Sequence, residues 1–302
     1  MFKGINAIEF NKQFSTNEAC YQYLIEWKWG KGFACSRCGC GESNKGRTYY
    51  HRRCRQCNYD ESVLANTVFH GMKMPILKAF HMIFRLTAKK KGMSTTELGA
   101  EVGVQQKTAW LFKRKIQVAM KQDNNDKLSG NVDVDETVLG FHTGREHGGR
   151  NLQKRKALMI AVEVLPDGRT GNIRMQDIEN FKADTLKYAL KDMVQSTASI
   201  RADDYCSYYT LQQQGMNIKI ERSQNGKAFE ELHRQIMQFK NWLVGIHHKW
   251  SKEHLFAYVD EYIFRFNRRN ERKNIFNTVI DRMMQQIPHP YPVIRKLCAY
   301  ST

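Results

Sequence analysis

The 302-residue chain has no apolar run approaching the about 18 residues that a membrane-spanning helix needs. Its first stretch, MFKGINAIEFNKQF, lacks the apolar core of a signal peptide. No internal repeat or low-complexity tract stands out. Acid is scarce relative to base, 30 Asp+Glu against 48 Lys+Arg, for a net charge of +18. These shortages argue against secreted, membrane and disordered classes. They point to a soluble cytoplasmic protein that binds a polyanion. With 41% hydrophobic residues, the chain can bury the cores of about two domains.

The positive charge is uneven. Residues 1–130 hold 22 Lys+Arg and 10 Asp+Glu, and residues 131–302 hold 26 and 20. The first part reads as a nucleic-acid grip, and the second has room for acidic chemistry.

Four of the 8 cysteines form two knuckles, Cys35-x2-Cys38 and Cys54-x2-Cys57. Each knuckle sets two thiolates on one tight turn, so two knuckles complete a tetrahedron around structural zinc. The segment between them is Gly-rich and polar with a short β-like TYYHR, the pattern of a zinc ribbon. Cys40 and His51 are alternative ligands. Cys20, Cys206 and Cys298 read as buried thiols in a reducing compartment.

Residues 17–29 read as a helix leading into the ribbon, and 75–90 as a second helix behind Pro75. Ser94-Thr-Thr-Glu97 is a capping-box pattern. It opens a short helix with Leu98 and Val102, followed by Gly103. The next helix carries Ala109, Phe112, Ile116 and Ala119 at helical spacing. Helix, glycine turn, helix is a helix-turn-helix signature, although an ordinary helical hairpin shares it. In the first reading Gln105, Gln106 and Lys107 meet DNA bases, and Lys113 and Arg114 lie farther along the DNA-facing helix.

After a polar linker at 121–130 the pattern turns to strands at 131–139, 156–164 and 170–175. A helix at 181–195, a strand at 198–203, a further helix, a strand at 217–221 and long helices from 227 follow. That order fits an α/β RNase H-like domain. The division is therefore 1–62, a zinc ribbon with its leading helix; 63–125, an all-α helix-turn-helix domain; and 126–302, the α/β domain with C-terminal helices. The basic segment 140–156 carries Arg145, Arg150, Lys154, Arg155 and Lys156 and reads as a phosphate-ordered loop or a solvated hairpin tip.

Asp133 and Asp135 share one face of the first strand of the α/β domain. Asp203 ends a later strand, and Asp204 follows it. Carboxylates on adjacent strands can hold divalent ions for phosphoryl transfer.

Three segments carry a resemblance. VDVDETVLG (132–140) resembles the EVDETYIGG segment of the DDE-type transposases of bacterial insertion sequences, the superfamily numbered fifteen-ninety-five. IRADDYCSY (200–208) resembles their TDGWxxY segment. The stretch from Leu232 to Arg272 resembles their VHRxxSLLKRWLLGTHH and FRFNRR segments. The ribbon and the KTAW at 107–110 also fit. The resemblance implies an RNase H-like catalytic domain with magnesium or manganese, acting on terminal inverted repeats and target DNA. It implies a nucleoid-associated bacterial enzyme that forms a homo-oligomer on DNA ends, with no membrane partner. Asp135 matches the first catalytic acid and Asp203 the second, with Asp204 as its competitor. His233, seven residues before Lys240, matches the third position, where Glu230 and Glu231 are neighbouring acids. Lys240 matches the lysine that contacts DNA. Arg268 and Arg269 in the tail are further DNA-binding candidates. The competing function is a zinc-ribbon, helix-turn-helix regulator with a degenerate catalytic domain.

Overall fold

The computed structural model describes residues 2, 6–122, 126–140, 152, 155–224, 227–247, 250 and 252–294. It divides into two compact units. The first gathers the described residues up to Met120 with those from Asn270 onward, and the second runs from Lys121 to Arg269.

In the first unit, α1 (Ala7–Gln13) and α2 (Asn17–Trp29) precede a three-stranded antiparallel sheet of β1 (Ser43–Lys45), β2 (His51–Cys54) and β3 (Asp60–Ser62). The Thr16 hydroxyl caps α2 by accepting from the Ala19 N–H at 3.2 Å. Then come α3 (Ile76–Ala88), α4 (Thr95–Val102) and α5 (Gln106–Ala119). Ser94 caps α4 through the Glu97 N–H, but the Glu97 carboxylate turns to Lys89 at 3.0 Å. Gly103 ends α4 in the left-handed conformation, φ +66°, which glycine adopts without steric cost. A Cβ at Gly99 would lie 3.0 Å from the Val104 carbonyl and 3.5 Å from the Ala109 Cβ, so α4 and α5 meet closely there.

The helix α10 (Ile275–Gln285) belongs to this first unit. That differs from the reading that assigned all C-terminal helices to the α/β domain. The reason is an aromatic core: Phe276 meets Phe2, Phe10, Phe14 and Phe80 with ring centroids 5.3–5.9 Å apart. Tyr23 and Trp27 of α2 also donate to Asn277 and Asp281, at 2.5 and 2.8 Å.

The second unit is a mixed α/β domain built on a five-stranded sheet. Its strands are β4 (Asn131–Leu139), β5 (Lys156–Val164), β6 (Thr170–Ile178), β7 (Ser199–Ala202) and β8 (Ile218–Ile220), in the order β6-β5-β4-β7-β8. β4, β5 and β6 pair antiparallel, whereas β4, β7 and β8 pair parallel. The run KALMIAVEV in β5 is apolar on both faces because helices cover both. Ala157, Met159 and Ala161 join one core with residues of α6 (Ala183–Met193) and α7 (Cys206–Gln213). Leu158, Ile160 and Val162 join the other with α8 (Glu230–Ile246) and α9 (Leu255–Asn267). Period-2 alternation puts Val132 and Val134 in the first core and turns Asp133 and Asp135 toward the α8 side. Truncating a central residue such as Ile160 to Ala should cost about 2–5 kcal/mol. Among the described residues, no helix is long and apolar enough to cross a membrane.

Candidate active site and metal centre

The zinc ribbon of the first unit brings its four predicted ligands together. Cys35 Sγ lies 3.6 Å from Cys57 Sγ, and Cys38 Sγ lies 3.5 Å from Cys54 Sγ. All four sulfurs lie within 4.8 Å of one another. A Zn–S bond of about 2.3 Å gives tetrahedral edges of about 3.8 Å, so the quartet fits structural zinc. The two alternative ligands are used elsewhere. Cys40 Sγ accepts from the Glu42 N–H, and the His51 ring nitrogens face Thr48 Oγ1 at 2.6 Å and Arg47 Nε at 3.1 Å.

The α4–α5 segment puts the proposed base readers outside. Gln105, Gln106 and Lys107 are exposed, and Gln106 donates to the Thr95 hydroxyl at 2.9 Å. Lys113 and Arg114, expected along the same DNA-facing helix, are buried instead. Lys113 donates to the Met93 carbonyl at 2.8 Å, and Arg114 donates to Gln117 at 2.9 Å with its guanidinium over Trp110. A 14-residue helix packed on the unit core turns one face inward, and these two side chains fall on it.

In the second unit the β4–β7 ladder sets the acids. Asp133 pairs with Arg201 and Val134 with Ala202 in parallel register. Asp135 and Asp203 each directly follow the last paired positions of this ladder, Val134 and Ala202. Asp133, which shares a strand face with Asp135, is not available for chemistry. It is 3% exposed and accepts two hydrogen bonds from Arg201, at 2.8 and 2.6 Å. That hydrogen bonding raises the Arg201 pKa.

His233 projects from α8 to within 3.6 Å of Asp135, measured from Nε2 to Oδ2. That is ion-pair range, beyond a hydrogen bond. Asp135 Oδ1 accepts from the Glu136 N–H at 2.8 Å. Asp203 Oδ1 accepts from the N–H groups of Asp204 and Ser223, at 2.8 and 2.9 Å. Asp204 is turned outward, held by the Tyr209 hydroxyl at 2.8 Å and Arg222 at 3.2 Å. Glu231 is also committed elsewhere. It accepts from Thr170 at 2.8 Å and pairs with Arg234 at 2.6 Å, while Glu230 pairs with the same arginine. Lys240, two turns beyond His233, is half-buried. Desolvation lowers its pKa, and the Asp135 carboxylate opposes that shift. Asp135, Asp203 and His233 stand farther apart than the cysteine quartet, the one such ligand cluster within 4.8 Å among the described residues.

The tail arginines make contacts within the second unit. Arg269 donates to the carbonyls of Phe266, Thr170 and Gly171, at 3.0, 2.5 and 2.9 Å, and so ties the end of α9 to the start of β6. Arg268 stacks on Phe264 at 4.1 Å. Both, half-buried, were expected to bind DNA. Most of the basic loop, with Arg145, Arg150 and Lys154, lies outside the described residues, as does Cys298. Arg155 is buried at the start of β5.

Sequence reasoning missed two contacts beside the site. One is the Asp133–Arg201 pair. The other is the Tyr208 hydroxyl, which donates to Glu136 on the opposite face of β4. The only sequence signal for either was the strand alternation that separates 133 and 135 from 136.

Two family models match the chain. That of the ISXO2-like transposase domain matches residues 127–267, and that of the transposase zinc-ribbon domain matches residues 15–60. No curated protein matches the chain.

Proposed function

We propose that this chain, a member of the transposases that join a zinc ribbon to an ISXO2-like transposase domain, is an active DDE-type enzyme. It binds the terminal inverted repeats of its own element, cleaves the DNA there and transfers the strand to target DNA. The observation that carries this reading is the β4–β7 register with His233 facing Asp135. It supports Asp135 and Asp203 as acids brought side by side from distant segments, with an imidazole opposite them.

The second unit is read as RNase H-like, supported by three antiparallel strands followed by two parallel ones with helices on both faces. The donor set fits a divalent cation. Asp203 has one oxygen fixed by two backbone N–H groups and no protein partner on the other among the described residues. Asp135 and His233 add an oxygen and a nitrogen. Magnesium prefers oxygen ligands and manganese tolerates imidazole, so a set with one nitrogen suits manganese better. When bound, such ions supply charge neutralisation and nucleophile activation for phosphoryl transfer. The chain's own groups do the rest. The two aspartates hold fixed positions on rigid strands, and His233 closes the site from α8. The Lys240 ammonium, on the same helix face, meets a DNA phosphate.

The α4–turn–α5 segment is read as the helix-turn-helix, with Gln105, Gln106 and Lys107 meeting the end sequence. An element has two ends, so a homo-oligomer assembled on DNA supplies a catalytic domain to each. On this reading the protein works in the bacterial cytoplasm, on the nucleoid. The test is cleavage of a labelled duplex carrying the inverted repeats that flank the coding region, with manganese or magnesium. Cleavage by the native protein and none by Asp135→Ala supports the enzyme. Tight, specific binding with no cleavage in either metal would establish the regulator with a degenerate catalytic domain.

A further inference from the structure

We propose that Arg201 is a positioning residue that holds the three site-bearing elements in register. The inference rests on the reading of Asp135, Asp203 and His233 as the metal-binding trio.

The Arg201 guanidinium meets the strand that carries Asp135 and the residue that leads into the helix that carries His233, and it projects from the strand that leads to Asp203. It lies on β7, two residues before Asp203, on the same strand face. It makes a two-point contact with Asp133 of β4, two residues before Asp135. It also lies over the ring of Phe229, at 4.9 Å. Phe229 directly precedes α8, and its ring meets the His233 ring edge-on at 6.4 Å. A fourth contact, to Glu221 at 3.7 Å, lies beyond the end of β8. The fork of an arginine satisfies planar carboxylate geometry and ring stacking at once, which an ammonium cannot do.

The chemistry of the face explains why such a clamp is needed. Asp135 and Asp203 are two like charges that each follow the last paired position of the β4–β7 ladder, Val134 and Ala202. Their repulsion favours splaying β4 from β7 until a cation arrives. A charge-assisted, two-point bridge one pleat below resists that splaying. Arg201 is not a free DNA contact, because Nε and Nη2 face Asp133 and Nη1 faces Glu221. Asp133 lies too deep to be a metal ligand while it is so paired.

The test uses the full zinc-loaded protein and manganese alone. Free manganese is counted by its paramagnetic resonance signal as protein is titrated, and thermal unfolding is followed in parallel. Arg201→Gln and Arg201→Lys should each weaken manganese binding at the acidic site by about tenfold, the lower end of what outer-shell partners of a metal site contribute. Zinc content should not change. In cleavage assays both variants should lower kcat with little change in KM for the DNA end. The paired replacement Asp133→Asn with Arg201→Gln removes the buried charge altogether and restores a neutral hydrogen bond. It should recover thermal stability relative to Arg201→Gln but not manganese affinity. If manganese affinity follows thermal stability across the three variants, or stays native in Arg201→Lys, the positioning role is overturned. If Asp135→Ala binds manganese as well as the native protein does, the metal-site reading itself fails, a result distinct from the first.

Discussion

Asp135 and His233 face one another at 3.6 Å across the β4–α8 packing, while Asp133, two residues away on the same strand face, is bound by Arg201. One strand thus presents two acids of opposite purpose. One is satisfied and buried. The other is turned toward a helix that presents an imidazole to it.

The first prediction concerns that imidazole. Asp135→Ala and Asp203→Ala should abolish end cleavage while leaving end binding intact. His233→Ala should cripple cleavage, and the native protein should work better in manganese than in magnesium. His233→Glu should shift preference toward magnesium, because it replaces nitrogen by oxygen. Glu231→Ala should remain active, because that carboxylate serves Thr170 and Arg234. Cleavage of a labelled terminal-repeat duplex by each variant decides it. Normal cleavage by His233→Ala with loss in Glu231→Ala would move the third role to the glutamate.

The ribbon should carry about one zinc per chain. Cys38→Ser should lose it, and the first unit should become protease-sensitive around the ribbon, since folding and metal binding are coupled. Metal analysis of purified protein is the measurement. Full zinc retention in the variant would show that the four-thiolate assignment is wrong.

On α5 the exposed and buried residues should separate cleanly. Gln106→Ala with Lys107→Ala should reduce preference for the terminal repeat over random duplex, with little change in stability. Lys113→Ala should instead cost about 1–3 kcal/mol of stability by leaving the Met93 carbonyl without its donor. Binding competition and urea unfolding read the two effects. Equal loss of repeat preference in both proteins would contradict the assignment.

Asp260 on α9 gives a pH prediction. Burial pushes its carboxyl from an ordinary 3.8 to about 6, and only Gln122 hydrogen bonding, Lys121 and Arg174 oppose the shift. A raised acid pKa means that the folded state holds the proton longer than the unfolded state. Its stabilisation is therefore fully present below pH 3.8 and is lost as pH rises through 6. The full loss is up to about 3 kcal/mol. Asp260→Asn should remove this slope, so its stability relative to the native protein should grow between pH 4 and pH 6 and then level off. Urea unfolding of both proteins across that range measures the difference. A constant difference would show that the carboxyl titrates normally.

Much of this protein is legible in its sequence because much of it is local. The two cysteine knuckles need only their own turns. The predicted helix at 17–29 and the strands at 131–139 and 156–164 coincide with α2, β4 and β5, whose apolar spacing is a property of a few consecutive residues. The helix α1 escaped that reading, since seven residues hold little periodicity and its Asn6 cap alone marks it.

What the tertiary structure decided are relations across long stretches of chain. The sequence placed Asp133 and Asp135 on one face as equals. Only the parallel pairing with β7 assigned Arg201 to the first and brought Ala202, the residue before Asp203, against Val134, the residue before the second. Helical spacing marked the face of α5 that carries Ala109, Phe112, Ile116 and Ala119 but not how far burial would spread around it, so Lys113 and Arg114 looked like surface charges until packing buried them. Nor could it say that α10, more than 250 residues on, closes an aromatic core begun by Phe2, Phe10 and Phe14. Backbone propensity and side-chain alternation act within a few residues, whereas the choice of partner belongs to whichever surfaces bury the most apolar area together.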